Sequence, residues 1–136
     1  MNQVKEKFVA FAKVGSKAPA FTLLNQRGKE VSLKQFHGLR NVVVYFYPKA
    51  MTPGCTVQAC GIRDTRAEFE AMDTDVIGIS PDSVDRLVKF EDKQELNFTL
   101  LSDEDHAIIV KKFWGYLKAS SKTSRIPETM TYQGKF

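Results

Sequence analysis

An apolar run at residues 42–47, Val-Val-Val-Tyr-Phe-Tyr, constrains the fold of this chain more than any other feature. Its β-branched and aromatic residues show no polar alternation, which is typical of a central parallel strand covered on both faces. Pro48 ends the run, and residues 56–71 have the apolar spacing of an amphipathic helix. The sequence therefore predicts a buried strand, a short loop and a helix.

Strands and helices alternate along the rest of the chain, which indicates βαβ units and a mainly parallel sheet. A length of 136 residues fits one domain with one hydrophobic core. We therefore expect an α/β fold with a single domain at residues 1–136. Further strands are predicted at residues 20–24, 75–80, 97–102 and 128–132, a turn at 25–29, and helices at 33–36, from 83 onward and at 103–114.

The charges are spread along the chain, with 20 lysines and arginines against 16 acids. Because the two signs are interleaved, there is no basic stripe of the kind that binds nucleic acid. No apolar run approaches the roughly 20 residues that a membrane helix needs. Residues 1–13 lack the long apolar stretch of a secretory signal. We therefore expect a cytoplasmic protein that binds neither nucleic acid nor membranes.

The chain has only two cysteines, Cys55 and Cys60. A small secreted disulfide scaffold would carry more, and a dithiol oxidoreductase of the thioredoxin type would have a Cys-x-x-Cys motif. A zinc site would need four ligands, and His37 and His106 are poor candidates to complete one. Two cysteines five residues apart therefore indicate redox chemistry, with no metal and no cofactor.

Cys55 lies where the predicted strand gives way to the helix. A helix N-terminus offers free N–H donors and a partial positive charge, and this environment favours the reactive thiolate. Thr52 can turn its hydroxyl toward the sulfur, while Pro48 and Pro53 shield the site and stiffen the loop. These groups would suit attack on a peroxide, which also requires an arginine to bind the substrate.

Cys60 could attack a sulfenic acid on Cys55 and form a disulfide. In an intact helix, residues five apart have Cα atoms about 8.6 Å apart. A disulfide tolerates at most roughly 7 Å. If both cysteines start on one helix, its first turns must therefore unwind in each cycle. The alternative is that Cys60 is a buried structural thiol.

The stretch that ends at Cys55 matches the Pro-x-x-x-Thr-x-x-Cys pattern of peroxiredoxins. Cys60, with Gly-Ile-Arg-Asp after it, and residues 97–106 resemble the peroxiredoxin Q subgroup, also called bacterioferritin comigratory proteins. The resemblance runs from about residue 14 to residue 106. It implies a thioredoxin fold, reduction of hydrogen peroxide and organic hydroperoxides, and a monomer recycled by thioredoxin or a similar dithiol. It also implies Cys55 as peroxidatic cysteine, Cys60 as resolving cysteine and Thr52 as hydroxyl partner.

The active-site arginine is less well marked in the sequence. Family members carry an arginine just before a strand, nine residues ahead of a glycine. Arg125 has this spacing before Gly134 and is our candidate, although residues 126–132 are less apolar than the family strand. The alternative for Arg125 is a solvated loop cation. Arg63 is a weaker candidate, and we expect it to form a surface salt bridge.

Peroxiredoxins of this subgroup continue through one more strand and a C-terminal helix, which we expect this sequence to lack. The loss would expose apolar surface and an unpaired strand edge. The fragment could then fold poorly, dimerise through the gap, or fill it with the N-terminal extension, residues 1–13. The function is therefore a thiol peroxidase or, alternatively, a truncated non-catalytic or redox-responsive thioredoxin-fold binding protein.

Overall fold

The computed structural model describes residues 17–108 and the backbone of residues 130–133. The predicted strands all appear in it, with their ends shifted by a few residues. The described elements are β1 (Thr22–Asn25), β2 (Glu30–Ser32), a 3-10 helix (Leu33–Phe36), β3 (Asn41–Phe46), α1 (Pro53–Asp64), α2 (Arg66–Ala71), β4 (Thr74–Ser80), α3 (Val84–Gln94), β5 (Thr99–Ser102) and β6 (Met130–Gln133).

The six described strands form one sheet in the order β2-β1-β5-β4-β3-β6. At its centre, β4 pairs in parallel with both β3 and β5. Toward the edges the pairings are antiparallel, between β2 and β1, β1 and β5, and β3 and β6. The predicted α/β class is confirmed, but the expectation of a mainly parallel sheet is wrong outside the centre. A short hairpin joins β1 to β2 and so makes these two strands antiparallel.

The turn predicted at residues 25–29 makes this hairpin. The Oδ1 of Asn25 accepts hydrogen bonds from the backbone N–H groups of Arg27 and Lys29, at 2.8 and 3.0 Å. Gly28 has a φ of +72°, a left-handed conformation that glycine adopts without steric strain. The turn therefore reverses the chain through an asparagine side chain and one glycine.

Strand β3 is buried on both faces, as its unbroken apolar run predicts. Val42, Val44 and Phe46 pack into a cluster on one face of the sheet. Tyr45 and Tyr47 pack on the other face, together with residues of α1 and α3. Side chains along a strand alternate between faces, so a strand between two hydrophobic layers has no polar side. This places the end of β3 directly beneath α1.

The helix predicted at residues 56–71 is two helices. It begins earlier, at Pro53, and breaks at Thr65, whose φ is −101° and ψ is 13°. The hydroxyl of Thr65 donates to the carbonyl of Gly61 at 2.9 Å. Such a bond from a threonine back to the preceding turn competes with the helical hydrogen-bond ladder. The first helix therefore ends at Asp64 and the second begins at Arg66.

Several expectations lie outside the described residues and stay predictions. They concern the extension at residues 1–13, the helix beyond residue 108, Arg125, and the expected lack of a last strand and C-terminal helix. The single-domain organisation also stays a prediction.

Candidate active site

Cys55 is the third residue of α1, in its first turn. Thr52 precedes the helix in an extended conformation and Pro53 is its first residue. Proline suits that position because its missing N–H would have no partner within the helix. Cys55 is a free thiol that is only 5% exposed. The predicted position of the cysteine at a helix start is therefore confirmed.

The first turn of α1, which carries Cys55, packs on the aromatic rings of Tyr45, Tyr47 and Phe90, which together form an aromatic floor. The rings of Tyr45 and Tyr47 stack with their centroids 5.6 Å apart. Phe90 of α3 lies against Tyr47, with 6.1 Å between the ring centroids. These residues, with Cys55 and Ala59, belong to one buried cluster. The floor shields the cysteine from water on the side of the sheet.

Tyr47 is a polar residue in this floor that the sequence reasoning treated only as part of a strand. Burial raises the pKa of Tyr47 far above its ordinary value, the nearby Ser80 hydroxyl partly offsets the rise, and the charges of Asp82 and Cys55 add to it. The Ser80 hydroxyl donates to Oδ2 of Asp82 at 2.8 Å and accepts from the N–H of Asp82 at 3.3 Å. The Oη of Tyr47 is buried and has no hydrogen-bond partner among the residues that the structure describes. Tyr47 is therefore neutral and unsatisfied beside the thiol.

The loop between β3 and α1 is held by the connection that follows β4. The N–H of Ala50 donates to Oδ2 of Asp82 at 2.7 Å. The carbonyl of Ala50 accepts from Nη2 of Arg86 at 3.3 Å. Sequence reasoning missed both residues. The available signal was an aspartate just after a buried strand, because the carboxyl ends of parallel strands meet at one edge of the sheet.

Thr52 and Pro48 occupy the same loop. The hydroxyl of Thr52 donates to the carbonyl of Lys49 at 3.0 Å. In this arrangement the hydroxyl proton is donated to a carbonyl of the loop and not to the sulfur of Cys55. The role of Thr52 toward Cys55 therefore stays a prediction. Pro48 is exposed at the end of β3. Its shielding role also stays a prediction.

Cys60 lies on the same helix as Cys55, as a half-buried free thiol. Its Sγ is 3.5 Å from Oε1 of Gln94, within reach of a weak S–H hydrogen bond. Gln94 is the last residue of α3. The two cysteines are therefore brought onto one helix, and the second is attached to a neighbouring helix.

Arg63 forms the salt bridge that the sequence predicts, with Asp64 at 2.9 Å. It does more, because its Nη1 donates to the carbonyl of Gln94 at 2.6 Å. Its own carbonyl accepts from Nδ2 of Asn97 at 3.2 Å. The hydrogen bond to Asp64 is the main reason that the pKa of Arg63 is raised, and the charge of Cys60 adds to it. Arg63 thus fastens the end of α1 to the end of α3.

Within residues 17–108 there is no group of three or more histidines, cysteines or acids that could hold a metal ion. His37 and His106 are both exposed there. None of the helices in the described part of the chain is long and apolar enough to cross a membrane.

Residues 14–131 match the AhpC/TSA family. The chain is similar to Peroxiredoxin Bcp of Escherichia coli, with 53% identity over 112 residues that cover 82% of this chain and 71% of that protein. Its structure is similar to Peroxidoxin BcpB of Mycobacterium tuberculosis, with a TM-score of 0.73, 31% identity, and coverage of 89% of this chain and 77% of that one. A cysteine-to-serine variant of peroxiredoxin Q from Xanthomonas campestris gives a TM-score of 0.70, 28% identity, and coverage of 85% and 74%.

These similarities confirm the resemblance that the sequence motifs carry and the thioredoxin fold that it implies. The match to the family extends beyond residue 106 and spans most of the chain. The position of Cys55 at the start of a helix agrees with these similarities. This chain belongs to the AhpC/TSA family and is a peroxiredoxin, a thiol peroxidase.

Proposed function

We propose that this chain reduces hydrogen peroxide and organic hydroperoxides with Cys55 as the peroxidatic thiol. The thiolate attacks one peroxide oxygen, the O–O bond breaks, and water or an alcohol leaves after protonation. Cys55 becomes a sulfenic acid. The observation that supports this role most directly is a buried free thiol in the first turn of α1. There the unpaired N–H groups of the helix start can stabilise negative charge on sulfur and oxygen.

Cys60 resolves the sulfenic acid in this proposal. Its thiol attacks the Cys55 sulfur, a disulfide forms and water leaves. Placement of both cysteines on α1 supports an intramolecular partner, since the second thiol is always close to the first. Thioredoxin, or a similar dithiol protein, then reduces the disulfide and is itself oxidised. The protein would thereby belong to the atypical two-cysteine peroxiredoxins.

Disulfide formation requires α1 to unwind. Five residues of regular helix separate the two Cα atoms by about 8.6 Å, more than a disulfide spans. We expect the first turns of α1, which begin at Pro53, to lose helical hydrogen bonds during each cycle. The residues at the other end of the helix, Arg63 and Thr65, are fastened by side-chain hydrogen bonds. The unwinding would therefore be local.

Three further residues have proposed roles in the peroxide site. Thr52 would turn its hydroxyl from Lys49 to the substrate when peroxide enters. Pro48 would limit access of water. Arg125 would bind the peroxide and stabilise the thiolate. An Arg125→Lys variant should lose much of the peroxide rate, because lysine lacks the planar pair of donors. A Lys122→Arg variant is the control for an exchange of lysine and arginine elsewhere in the same segment.

We further propose a monomer in the reducing cytoplasm. Two free thiols five residues apart suit a compartment in which disulfides are transient. Size-exclusion chromatography of the reduced and oxidised protein tests the monomer. A dimer in both states would contradict it and would direct attention to a strand edge as the contact.

Peroxide turnover coupled to thioredoxin and its reductase tests the catalytic cycle. The unmutated chain should consume peroxide, and Cys55→Ser should abolish the reaction. Cys60→Ser should react with about one equivalent of peroxide and then stop, with a sulfenic acid trapped by dimedone. A folded chain that consumes no peroxide would support the alternative of a non-catalytic or redox-responsive binding protein.

A further inference from the structure

Both peptide groups of Ala50 are bound by side chains from the segment after β4. Its N–H donates to Oδ2 of Asp82 and its carbonyl accepts from Nη2 of Arg86. Ala50 is 1% exposed and its bond to Asp82 is buried, whereas its bond to the partly exposed Arg86 is half-buried. Two bonds on one residue fix the position and the orientation of the loop at that point.

Asp82 is itself held firmly. It is 7% exposed, and its Oδ2 also accepts from the Ser80 hydroxyl at 2.8 Å. Its Oδ1 accepts from Nε of Arg86 at 2.9 Å. Its carbonyl accepts from the hydroxyl of Ser102, at the end of β5, at 2.6 Å. The carboxylate that binds the loop is therefore anchored to the ends of two central strands.

The loop does not hold this conformation by its own preference. Met51 has a φ of +67°, in the left-handed region that residues with a Cβ disfavour. A strained residue persists only where the surrounding structure imposes its conformation. Met51 directly follows the anchored Ala50 and precedes Thr52, the residue just before α1. The bonds to Ala50 are in the right place to impose the strain.

The cost of burying the charge of Asp82 also favours an ion pair with Arg86 over a single carboxylate. A lone buried carboxylate would be costly to desolvate. Arg86 forms an ion pair with Asp82 and compensates its charge. The pair can therefore accept a hydrogen bond from the loop without leaving an uncompensated charge inside the protein.

We propose that Asp82, assisted by Arg86, is a positioning residue that fixes the loop at residues 48–52 and thereby the placement of Cys55 for attack on peroxide. This inference rests on the proposed peroxidatic role of Cys55. Ala50 and Cys55 pack in the same buried cluster, so a shift of the loop moves the start of α1 with it. In-line attack on a peroxide depends on the position of the sulfur to within about 1 Å.

Two reagents separate positioning from mere loss of structure. Peroxide attack needs the oriented site, whereas alkylation by iodoacetamide needs only an accessible thiolate. In a Cys60→Ser background, Asp82→Ala should lower the rate constant with hydrogen peroxide by about 10- to 100-fold. The iodoacetamide rate should change far less. Asp82→Asn keeps an acceptor for Ala50 and should recover part of the peroxide rate. Arg86→Lys should show an intermediate loss.

Asp85→Asn is the matched control, since Asp85 is an exposed acid in the first turn of α3, the helix that carries Arg86. It should leave both rates unchanged. Unchanged peroxide rates in all Asp82 variants would overturn the inference, and so would a parallel fall of both rates. If Asp82→Ala does not fold, Asp82→Asn and Arg86→Lys decide between these outcomes.

Amide hydrogen exchange of the reduced protein gives a readout that does not depend on peroxide chemistry. Asp82→Ala should speed exchange at residues 50–56, and Asp85→Asn should not. If the unmutated chain fails to react with peroxide, the proposed function fails, while faster exchange in Asp82→Ala would still support the anchor. Unchanged exchange at Ala50 would overturn the anchor even in an active enzyme.

Discussion

The sulfur of Cys60 lies 3.5 Å from Oε1 of Gln94, the last residue of α3. This contact joins the middle of α1 to a neighbouring helix. In the proposed cycle, disulfide formation with Cys55 removes the thiol proton that Cys60 shares with Gln94, so this hydrogen bond is lost when the two sulfurs bond. The contact therefore opposes the step that closes the catalytic cycle.

Replacing Gln94 by alanine should speed disulfide formation. The variant loses the contact with Cys60 but keeps the backbone carbonyl that Arg63 binds. A weak hydrogen bond contributes at most about 1 kcal/mol, so the rate should rise by about two- to fivefold. Rapid quenching with an alkylating reagent after one equivalent of peroxide, followed by mass spectrometry, measures the rate.

Lys93→Ala is the control for the Gln94 variant. Lys93 is exposed and lies one residue earlier on the same helix. Its replacement should leave the rate of disulfide formation unchanged. A Gln94→Ala rate equal to that of the unmutated chain would show that the contact does not oppose unwinding.

A Gly61→Ala variant should slow the same step and stabilise the fold. Gly61 lies in α1 beside Cys60, and a Cβ at this position would meet no atom of residues 17–108 within 4 Å. Alanine favours the helix over glycine by about 1 kcal/mol. We expect the proposed unwinding to reach Gly61, next to Cys60, so the gain is lost in the unwound state. Denaturant unfolding and the quenched-flow rate together check both effects.

Asp92→Ala on α3 separates helix unwinding from general stability. Asp92 is exposed near the end of that helix, where an acid opposes the helix dipole. Its replacement should stabilise the protein without slowing disulfide formation. If Gly61→Ala and Asp92→Ala slow disulfide formation equally, global stability, and not the unwinding of α1, sets the rate.

Much of the frame could be predicted from local pattern. The apolar run of β3 and its two buried faces follow from β-branched and aromatic residues without polar alternation. The position of Cys55 at a helix start follows from the proline and glycine that precede it. These features depend on residues close together in the chain, so periodicity and capping chemistry reveal them.

The anchoring contacts depend on long-range packing. Ala50 and Asp82 are 32 residues apart in the sequence. Nothing in either local pattern states that they meet, and only the parallel pairing of β3 with β4 brings their loops together. The break at Thr65 escaped prediction for a different reason. A threonine inside a helical pattern can point to solvent or bond back to the preceding turn, and the sequence does not distinguish these choices.

A Gly78→Ala variant should destabilise the protein, in contrast to Gly61→Ala. A Cβ on Gly78 would lie 2.9 Å from Cε1 and Cζ of Tyr45. The tyrosine is 2% exposed and stacked on Tyr47, so its ring has little room to move. Overpacking of this kind costs about 1–3 kcal/mol. Urea unfolding measures the loss, and an unchanged midpoint would show that the aromatic floor can shift.

A Tyr47→Phe variant tests the unsatisfied hydroxyl in the floor. Near neutral pH the free energy of unfolding should be unchanged or raised by up to about 1 kcal/mol, since the buried Oη has no partner to lose within the described part of the chain. In the unmutated chain, burial first of all raises the pKa of Tyr47 above its ordinary value of 10.0. The folded state therefore keeps a proton that the unfolded state releases above about pH 10.

The sign of the alkaline effect follows from this difference. Stability linked to Tyr47 is fully present below pH 10 and falls above it by about 1.4 kcal/mol per pH unit. Phenylalanine has no proton to release, so the advantage of Tyr47→Phe should widen between pH 10 and 11. Urea unfolding of both proteins at pH 7, 10 and 11 measures the change, with Tyr45→Phe as a comparison because burial also raises the pKa of Tyr45. A difference that stays constant across this range would mean that the phenol ionises as readily in the folded protein as in the unfolded chain, and that the floor beneath Cys55 admits water.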